Sequence, residues 1–294
     1  MTACSIGIVT HNNRADIGAC LAAAARIRVP CEIHLIDNAS RDGTREIVQQ
    51  YRDRIFKRRL KTTWNRFNDG YASAMNRALR ESRGDVFLFL GPDTVLGPGA
   101  VETLWEHLRR HPEAGAAAPR LVDSSDRPQP SCRRFPTLRD VLFELTALPR
   151  LFPGRFRPAW KIQETGGSSV RDVEQPEATC FLLRRQTIDT VGFLDERFPI
   201  FFNDVDYCRR IREAGMKIAF VPGAVVRHVR GASVRQHRAA MIWKSHQGFY
   251  RYFRKYAAPG WKGPWVHALG CLLIAAAFTR TVLRACFPEC GKPW

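Results

Sequence analysis

The chain has 294 residues and a mass of 33.5 kDa, which suits one large domain or one domain with a smaller lobe. Hydrophobic residues make up 45% and charged residues 25%, and this composition excludes a disordered chain, a collagen-like repeat and a disulfide-stapled mini-protein. Lys and Arg number 46 against 28 Asp and Glu, so the formal net charge of +18 favours anionic partners: nucleic acid, phosphorylated small molecules or an anionic membrane face.

The first 120 residues alternate between strand and helix signals. Apolar runs typical of buried strands cover residues 4–10, 32–36 and 85–90. Stretches with helical spacing of apolar residues cover residues 15–27, 44–51, 70–83 and 101–110. This β-α-β-α order predicts an α/β fold with a mostly parallel central sheet flanked by helices.

The pattern loosens in the second half of the chain. Residues 128–158 are rich in proline and arginine, which predicts irregular structure with one helix around residues 138–145. A second organised block covers residues 178–229. Within it we expect a strand at 178–183, a helix at 205–213 that ends at Gly215, and a strand that begins at Ile218.

The C-terminal tail differs in composition from the rest. Residues 243–256 mix aromatic side chains with Lys and Arg, and residues 263–279 carry no formal charge. At ~1.5 Å per residue the uncharged stretch spans roughly 25 Å, short of a ~30 Å hydrocarbon core. Three readings remain open: a marginal membrane span, a helix lying on an anionic membrane surface, which we favour, or a helix packed on the protein's own core.

The nine cysteines form no metal-binding or disulfide pattern. They are scattered, and neither Cys286 nor Cys290 has the partners that would complete a zinc-ligand spacing,. We therefore expect reduced, mostly buried thiols. Residues 1–10 form a strand-like run without a basic leader, so we expect no secretory signal and a cytoplasmic location.

Polar clusters follow three of the predicted strands. They occupy residues 10–13, 37–40 and 91–94, and ligands bind at the carboxyl ends of strands in open parallel sheets. Neither G-x-G-x-x-G nor G-x-x-x-x-G-K-[ST] occurs in the chain, which disfavours the two common nucleotide-binding folds. The three clusters nevertheless predict a site able to hold a nucleotide.

Several side chains, in these clusters and later in the chain, have both a functional and a structural interpretation. Asp37 is placed to accept hydrogen bonds from a base or ribose, or it is a turn residue. Asp93 suits a hard divalent cation beside substrate phosphates, or it caps a turn or helix. Asp204 stands at a helix start, either as a general base or as a cap, and Asp206 is placed to pair with an arginine one turn later. For His228 the default is a structural hydrogen bond.

Seven short motifs occur in one order along the chain. They are VTHNN (9–13), IDNASRDG (36–43), NDGYASAMN (68–76), GPDT (91–94), VGFLDERF (191–198), FFNDVDYCRRIREAG (201–215) and VRHVRGAS (226–233). With these motifs the chain resembles family 2 glycosyltransferases of the GT-A fold, and among them the bacterial rhamnosyltransferase-like group, over about residues 4–256.

The resemblance implies a role for each matching position on the donor side. Asp37 contacts the nucleobase or ribose of a nucleotide-sugar donor, and Thr10 lines the same pocket. Gly70 lets the backbone approach the donor closely. Asp93 binds the donor and holds Mg²⁺ or Mn²⁺ on its diphosphate, and His228 completes that metal site.

The resemblance also implies that Asp204 is the catalytic base, because it matches the base of inverting members of the family. Two positions depart from the family pattern: Gly91 replaces the usual Asn or Asp, and Asn203 replaces the Glu that usually precedes the base. Asp206 is the substitute if Asp204 fails as base. Arg230 or Arg235 is a candidate for adding positive charge near the leaving group.

The resemblance also implies the overall arrangement. We expect a glycosyltransferase domain over residues 1–240, with a nucleotide-binding half at 1–120 and an acceptor and catalytic half at 121–240. A tail at 241–294 follows and is a candidate for membrane association. The expected reaction is a metal-dependent, inverting transfer of a sugar, with dTDP-rhamnose as a candidate donor, to a saccharide acceptor. A lipid-linked acceptor, cell-envelope polysaccharide synthesis and a place at the inner face of the cell membrane fit the tail.

The net charge also raises the question of nucleic acid as a partner. We expect no nucleic acid, because the arginines form no single stripe, and the sequence is compatible with a homo-oligomer. Two alternatives stay open: a catalytically impaired relative, which the two departures favour, and a basic nucleic-acid-binding protein, which the net charge favours.

Overall fold

A computed structural model describes residues 3–145, 152, 167–229, 238–257 and 263–286. The chain divides into two compact units. The first comprises Met1–Phe135, Lys161–Pro199 and Asn203–Ser233, and the second comprises Pro136–Trp160, Ile200–Phe202 and Val234–Trp294.

A nine-stranded mixed sheet forms the centre of the first unit. Its strands are β1 (Cys4–Thr10), β2 (Cys31–Asp37), β3 (Leu60–Trp64), β4 (Val86–Leu90), β5 (Thr94–Leu96), β6 (Ala114–Val122), β8 (Arg171–Asp172), β10 (Cys180–Arg184) and β11 (Lys217–His228). The order is β3-β2-β1-β4-β10-β6-β11-β5, with β8 beside β11. Strands β1 to β4, β6 and β11 run in one direction, and β5, β8 and β10 run against them. The short strands β7 (Cys132–Arg133) and β9 (Gln175–Pro176) form a separate pair.

Nine α-helices lie in the described residues, six in the first unit and three in the second, and a π-helical turn (Arg52–Phe56) and a 3-10 turn (Lys57–Arg59) follow α2. The first unit has α1 (Ile17–Ala24), α2 (Thr44–Tyr51), α3 (Tyr71–Glu81), α4 (Ala100–Arg110), α6 (Arg185–Val191) and α7 (Asn203–Glu213). The second has α5 (Leu138–Leu145), α8 (Arg238–Tyr256) and α9 (Gly263–Cys286).

The sheet is buried on both faces, and strand β4 shows why its sequence is apolar throughout. Phe87 and Phe89 point to one face, where they pack in a cluster with residues of α3 and α7. Leu88 and Leu90 point to the other face and pack with residues of α1, α2 and α4. Successive side chains of a strand alternate between faces, so a strand covered on both sides reads as a continuous apolar run. The predicted α/β fold is confirmed, with helices at the C-terminal end.

Strand β6 is the largest element that the sequence pattern missed. Its sequence, AGAAAPRLV, is rich in alanine, which has low strand propensity,. It is nonetheless buried between β10 and β11, where small side chains suffice because neighbouring layers fill the space. Strand β11 does not end at Val221. After a register shift between Val221 and Val225 it continues to His228, and this last part pairs with β5 and β6.

In the second unit, α9 packs against α8. Val266, Leu269, Leu273 and Ala277 are buried along one side of α9. None of the helices in the described part of the chain combines the length and apolar character that a membrane span requires.

The thiols agree with the expectation of reduced, mostly buried cysteines. Among the residues that the structure describes, Cys4, Cys20, Cys31, Cys132, Cys180, Cys208 and Cys271 are free, and all but Cys271 are buried. Cys286 and Cys290 lie outside the described side chains.

Candidate active site

Thr10 and Asp37 end two adjacent parallel strands, and they are register partners. Both side chains are buried. The Thr10 hydroxyl donates to Asn13 Oδ1 at 3.1 Å. Asp37 Oδ2 accepts from Arg45 Nε at 2.6 Å and from the Ser40 amide at 3.1 Å, whereas Asp37 Oδ1 is buried with no hydrogen-bond partner among the described residues. Asp37 is therefore a turn residue that also keeps one acceptor oxygen unused.

Side chains that the sequence reading did not single out surround Asp37. Arg45 donates through Nη2 to the carbonyl of Asn65 at 3.1 Å, and its guanidinium carbon lies 5.5 Å from the centroid of the Trp64 ring. Asn65 donates to Asn38 Oδ1 at 2.8 Å. The ends of β2 and β3 thus form a polar and aromatic cluster. The signal that marks it is the sequence TTWN at the end of β3.

Gly70 begins α3 with φ of +86°, a conformation that disfavours residues with a Cβ atom. A Cβ atom here would lie 3.0 Å from Pro199 Cβ, and the Pro199 carbonyl accepts from the Tyr71 amide at 2.7 Å. The glycine is thus required locally to pack α3 against the segment before α7. Its predicted approach to a donor stays a prediction.

Asp93 and His228 lie next to each other, as the resemblance implied for a metal site. Strand β11 pairs His228 with Thr94, and His228 Nε2 lies 3.5 Å from Asp93 Oδ2. Within the described residues no group of three or more His, Cys, Asp or Glu has an arrangement suited to a metal ion. A carboxylate and an imidazole nevertheless fit Mg²⁺ or Mn²⁺, because such ions take few protein ligands and fill other positions with water and substrate phosphates.

Glu177 is a third acidic residue here, and the sequence reading missed it. Its Oε1 lies 3.7 Å from His228 Nδ1, and its charge raises the pKa of Asp204. It sits in the turn between β9 and β10, where no periodic pattern marks it. Asp93, His228 and Glu177 therefore lie side by side in the first unit, and Asp204 contacts Gln175, two residues before Glu177.

Asp204 lies at the start of α7. Its Oδ1 accepts from the Val205 amide at 2.9 Å, and its Oδ2 lies 3.4 Å from Gln175 Nε2. Burial raises the pKa of Asp204, the Val205 amide and Arg133 oppose this rise, and Glu177 adds to it. A carboxylate with a raised pKa is a stronger base than a free one, as general-base catalysis requires.

The second acid of α7 has a structural role. Asp206 is fully buried, and its Oδ2 accepts from Arg210 Nε at 3.0 Å, one helical turn along. This ion pair favours Asp204 over Asp206 as the base. Arg230 and Arg235 lie outside the described residues.

One departure from the family pattern has a steric explanation. A Cβ atom at Gly91 would lie 3.1 Å from Asp93 Oδ1, so a larger residue there would press on the carboxylate. The Gly91 amide donates to the Thr179 carbonyl at 2.7 Å. The glycine thus gives room to Asp93 and ties its turn to β10. Nothing in the structure explains Asn203 in place of Glu.

Comparisons with known proteins agree with the fold. The profile of Glycosyl transferase family 2 matches residues 5–161, more than half of the chain. N-acetylglucosaminyl-diphospho-decaprenol L-rhamnosyltransferase of Mycobacterium tuberculosis is 30% identical over 246 residues, which cover 80% of this chain and 78% of that protein. The O-antigen biosynthesis protein RfbC of Myxococcus xanthus is 27% identical over 76% of this chain and 17% of its own length.

Solved structures share the fold. The mannosyltransferase PcManGT from Pyrobaculum calidifontis, in complex with GDP-Man and Mn²⁺, has a TM-score of 0.59 at 18% identity over 99% of this chain and 76% of its own. GalNAc-T7 with UDP, GalNAc and Mn²⁺ has a TM-score of 0.59 at 15% identity, and this chain spans 45% of its length. The family match, the rhamnosyltransferase relative and the shared fold lead to one conclusion: the chain belongs to glycosyl transferase family 2 and is a glycosyltransferase of its rhamnosyltransferase-like group.

Proposed function

We propose that this chain transfers L-rhamnose from dTDP-rhamnose to a saccharide carried on a prenyl diphosphate lipid, in the synthesis of a cell-envelope polysaccharide. The observation that carries the proposal is the 30% identity to a decaprenol-linked rhamnosyltransferase over 80% of this chain. The cluster of Asp93, His228 and Glu177, with Asp204 beside Gln175, supports it, because a glycosyl transfer needs an acid-lined site for a cation on the diphosphate and a base for the acceptor.

The donor's nucleoside is proposed to bind at the ends of β1 and β2. Asp37 Oδ1 is the acceptor for an N–H of the base or a ribose hydroxyl, and Thr10 lines the same pocket. Arg45 holds the other Asp37 oxygen. The bond to Arg45 therefore fixes the orientation of the Asp37 carboxylate and leaves its Oδ1 for the ligand.

The diphosphate is proposed to lie near Asp93 and His228, with Gly70 close to the donor. Asp93 Oδ2 and His228 Nε2 would hold Mg²⁺ or Mn²⁺ there. When bound, such an ion neutralises charge on the departing diphosphate.

Asp204 is proposed as the base. As the acceptor hydroxyl attacks the anomeric carbon, Asp204 takes the hydroxyl proton, a new C–O bond forms, and the bond to the nucleoside diphosphate breaks on the opposite face. The anomeric configuration is thereby inverted. The raised pKa of Asp204 makes the proton transfer more favourable,.

The acceptor is proposed to be reached at an anionic membrane surface through α9. Trp265, Leu272, Ile274 and Phe278 are exposed on this helix, and residues 263–279 carry no formal charge. On α8, Lys244, Arg251 and Arg254 are exposed. An exposed apolar helix face accompanied by exposed basic residues is typical of interfacial membrane binding.

The function is tested with purified protein, a synthetic N-acetylglucosaminyl-diphosphoprenol and Mg²⁺. We expect transfer from dTDP-L-rhamnose, seen as a mass increase of one deoxyhexose, with inverted configuration by NMR. UDP-glucose and GDP-mannose are the comparison donors. Equal or greater transfer from either would overturn the donor, and a retained configuration would overturn the role of Asp204.

A further inference from the structure

Glu177 occupies a turn that is anchored on both sides of the site. Its amide donates to the Ser131 carbonyl at 2.7 Å, and two residues later the Thr179 carbonyl accepts from the Gly91 amide at 2.7 Å. The second bond joins this turn to the turn that carries Asp93. The backbone therefore fixes where the Glu177 side chain starts relative to the Asp93 carboxylate.

The imidazole of His228 lies between two carboxylates. Its Nε2 is 3.5 Å from Asp93 Oδ2, and its Nδ1 is 3.7 Å from Glu177 Oε1. The ring is buried, with only 6% of His228 exposed, and Nδ1 has no hydrogen-bond partner among the described residues. A carboxylate stabilises an N–H directed at it. Asp93 alone would therefore favour the proton on Nε2, and the Glu177 carboxylate on the other side of the ring opposes this by stabilising the proton on Nδ1.

The proton position decides what the other nitrogen can do. In a neutral imidazole one nitrogen carries a proton and the other has a free lone pair, and the partner of the first fixes the role of the second. With the proton on Nδ1, the lone pair of Nε2 points toward Asp93. A metal-ligating histidine is commonly held in this way by a carboxylate behind it.

We propose that Glu177 is a positioning residue of this site: its carboxylate stabilises the form of His228 protonated at Nδ1, against the opposite effect of Asp93 at Nε2, and so leaves the Nε2 lone pair for a cation beside Asp93. The proposal rests on the proposed function, in which Asp93 and His228 hold the cation.

The first test reads the histidine directly in the metal-free protein. Long-range ¹H–¹⁵N spectra of histidine-labelled protein at fixed pH distinguish the two neutral tautomers, with the His228 signals assigned by their loss in H228Q. We expect a measurable fraction of the Nδ1–H form in the unsubstituted protein and a smaller fraction in E177A, in which only Asp93 still faces the ring. E177Q retains an acceptor oxygen, so it should keep part of the preference and serves if E177A fails to fold. An unchanged tautomer in both variants would overturn the proposal.

The second test reads metal binding without turnover. Mn²⁺ affinity in the presence of dTDP, followed by electron paramagnetic resonance, should fall about 10–100-fold in E177A. The matched control is E113A, which removes the carboxylate of an exposed His–Glu pair, His111 Nδ1 to Glu113 Oε1 at 3.3 Å, and should leave the affinity unchanged. Equal Mn²⁺ affinity in E177A and the unsubstituted protein overturns the proposal. Failure of the unsubstituted protein to bind Mn²⁺ would instead overturn the metal part of the proposed function, while the tautomer spectra still decide the role of Glu177.

Discussion

Asp204 is the residue whose environment and chemistry agree most closely. Burial is the largest cause of its raised pKa, and the nearby Glu177 carboxylate acts in the same direction. Burial of Tyr71 likewise raises the pKa of its hydroxyl, and the negative charge of Asp204 raises it further. A carboxylate held in such surroundings is costly to ionise and correspondingly ready to accept a proton.

Replacing this base tests its role. In D204N we expect turnover to fall about 10²-fold or more, because the amide cannot accept the hydroxyl proton, while dTDP-rhamnose binding by calorimetry stays near the value of the unsubstituted protein. The matched control is D206N, which should lower stability through loss of the buried pair with Arg210 and leave the transfer step itself in place. Near-normal turnover in folded D204N would remove Asp204 from this role.

The raised pKa also predicts opposite effects on activity and stability. The rate of transfer should fall as the pH drops through the pKa of Asp204, because the protonated acid is no base. The folded state binds this proton more tightly than the unfolded state does, so ionised Asp204 lowers stability above that pKa. D204N should therefore unfold at an equal or higher temperature than the unsubstituted protein at pH 7, and this advantage should shrink as the pH falls. A clear loss of stability in D204N at pH 7 would contradict this account.

Asp93 carries the metal part of the proposed function. In D93A we expect Mn²⁺-dependent binding of dTDP to disappear in calorimetry, and EDTA should reduce the unsubstituted protein to the same state. The control is D53N, which removes an exposed carboxylate paired with Arg52 and should bind as before. Unchanged affinity in D93A would refute the assignment.

At the scale of elements, helix α3 is tied to the segment that leads into α7 by one buried side chain. Asn76 accepts from the Leu194 amide at 2.8 Å through Oδ1, and its Nδ2 donates to the Leu194 carbonyl at 2.9 Å and to Glu196. The side chain is almost fully buried. It therefore satisfies both backbone groups of Leu194 where water does not reach them.

Removing this link should destabilise the fold. In N76A we expect the free energy of unfolding to fall by about 1–3 kcal/mol, because buried backbone groups lose their partners, measured by urea denaturation. R77A, next to it on α3, removes only an exposed ion pair with Glu81 and should cost less than about 0.5 kcal/mol. Equal effects of the two substitutions would contradict the role of Asn76.

At the scale of the whole molecule, the net charge of +18 and the apolar face of α9 bear on where the enzyme works. Charge alone draws a protein to any anionic surface and is screened by salt. Apolar contact with a bilayer is not screened. Salt dependence therefore separates the two contributions.

Vesicle sedimentation tests the membrane surface. Vesicles rich in phosphatidylglycerol should bind the protein, with weaker but persistent binding at 0.5 M salt, and W265E/F278E should reduce the binding at least tenfold because each buried aromatic side chain contributes about 1.5–3 kcal/mol. The control I55E changes an exposed isoleucine of the first unit and should bind normally. Equal binding of both variants would overturn the role of α9.

Local pattern predicted the elements that bury apolar faces with regular spacing. Strand β1 and helix α2 have the expected bounds, and β4 follows from its apolar run. Strand β6 was not predicted because alanine has low strand propensity. Its burial between β10 and β11 depends on the assembled sheet. Asp93 and His228 were named because they stand in motifs, whereas Glu177 stands in none.

The sequence by itself determined the alternation of strands and helices, the polar strand ends and the family, because periodicity and short motifs are written in neighbouring residues. Only the tertiary structure decided that Asp93, His228 and Glu177 come together. The pairing of β11 with β5 brings His228 beside the Asp93 turn, and the bond from Gly91 to Thr179 brings the Glu177 turn there. Contacts between residues so far apart in the chain depend on strand register, which no local pattern records.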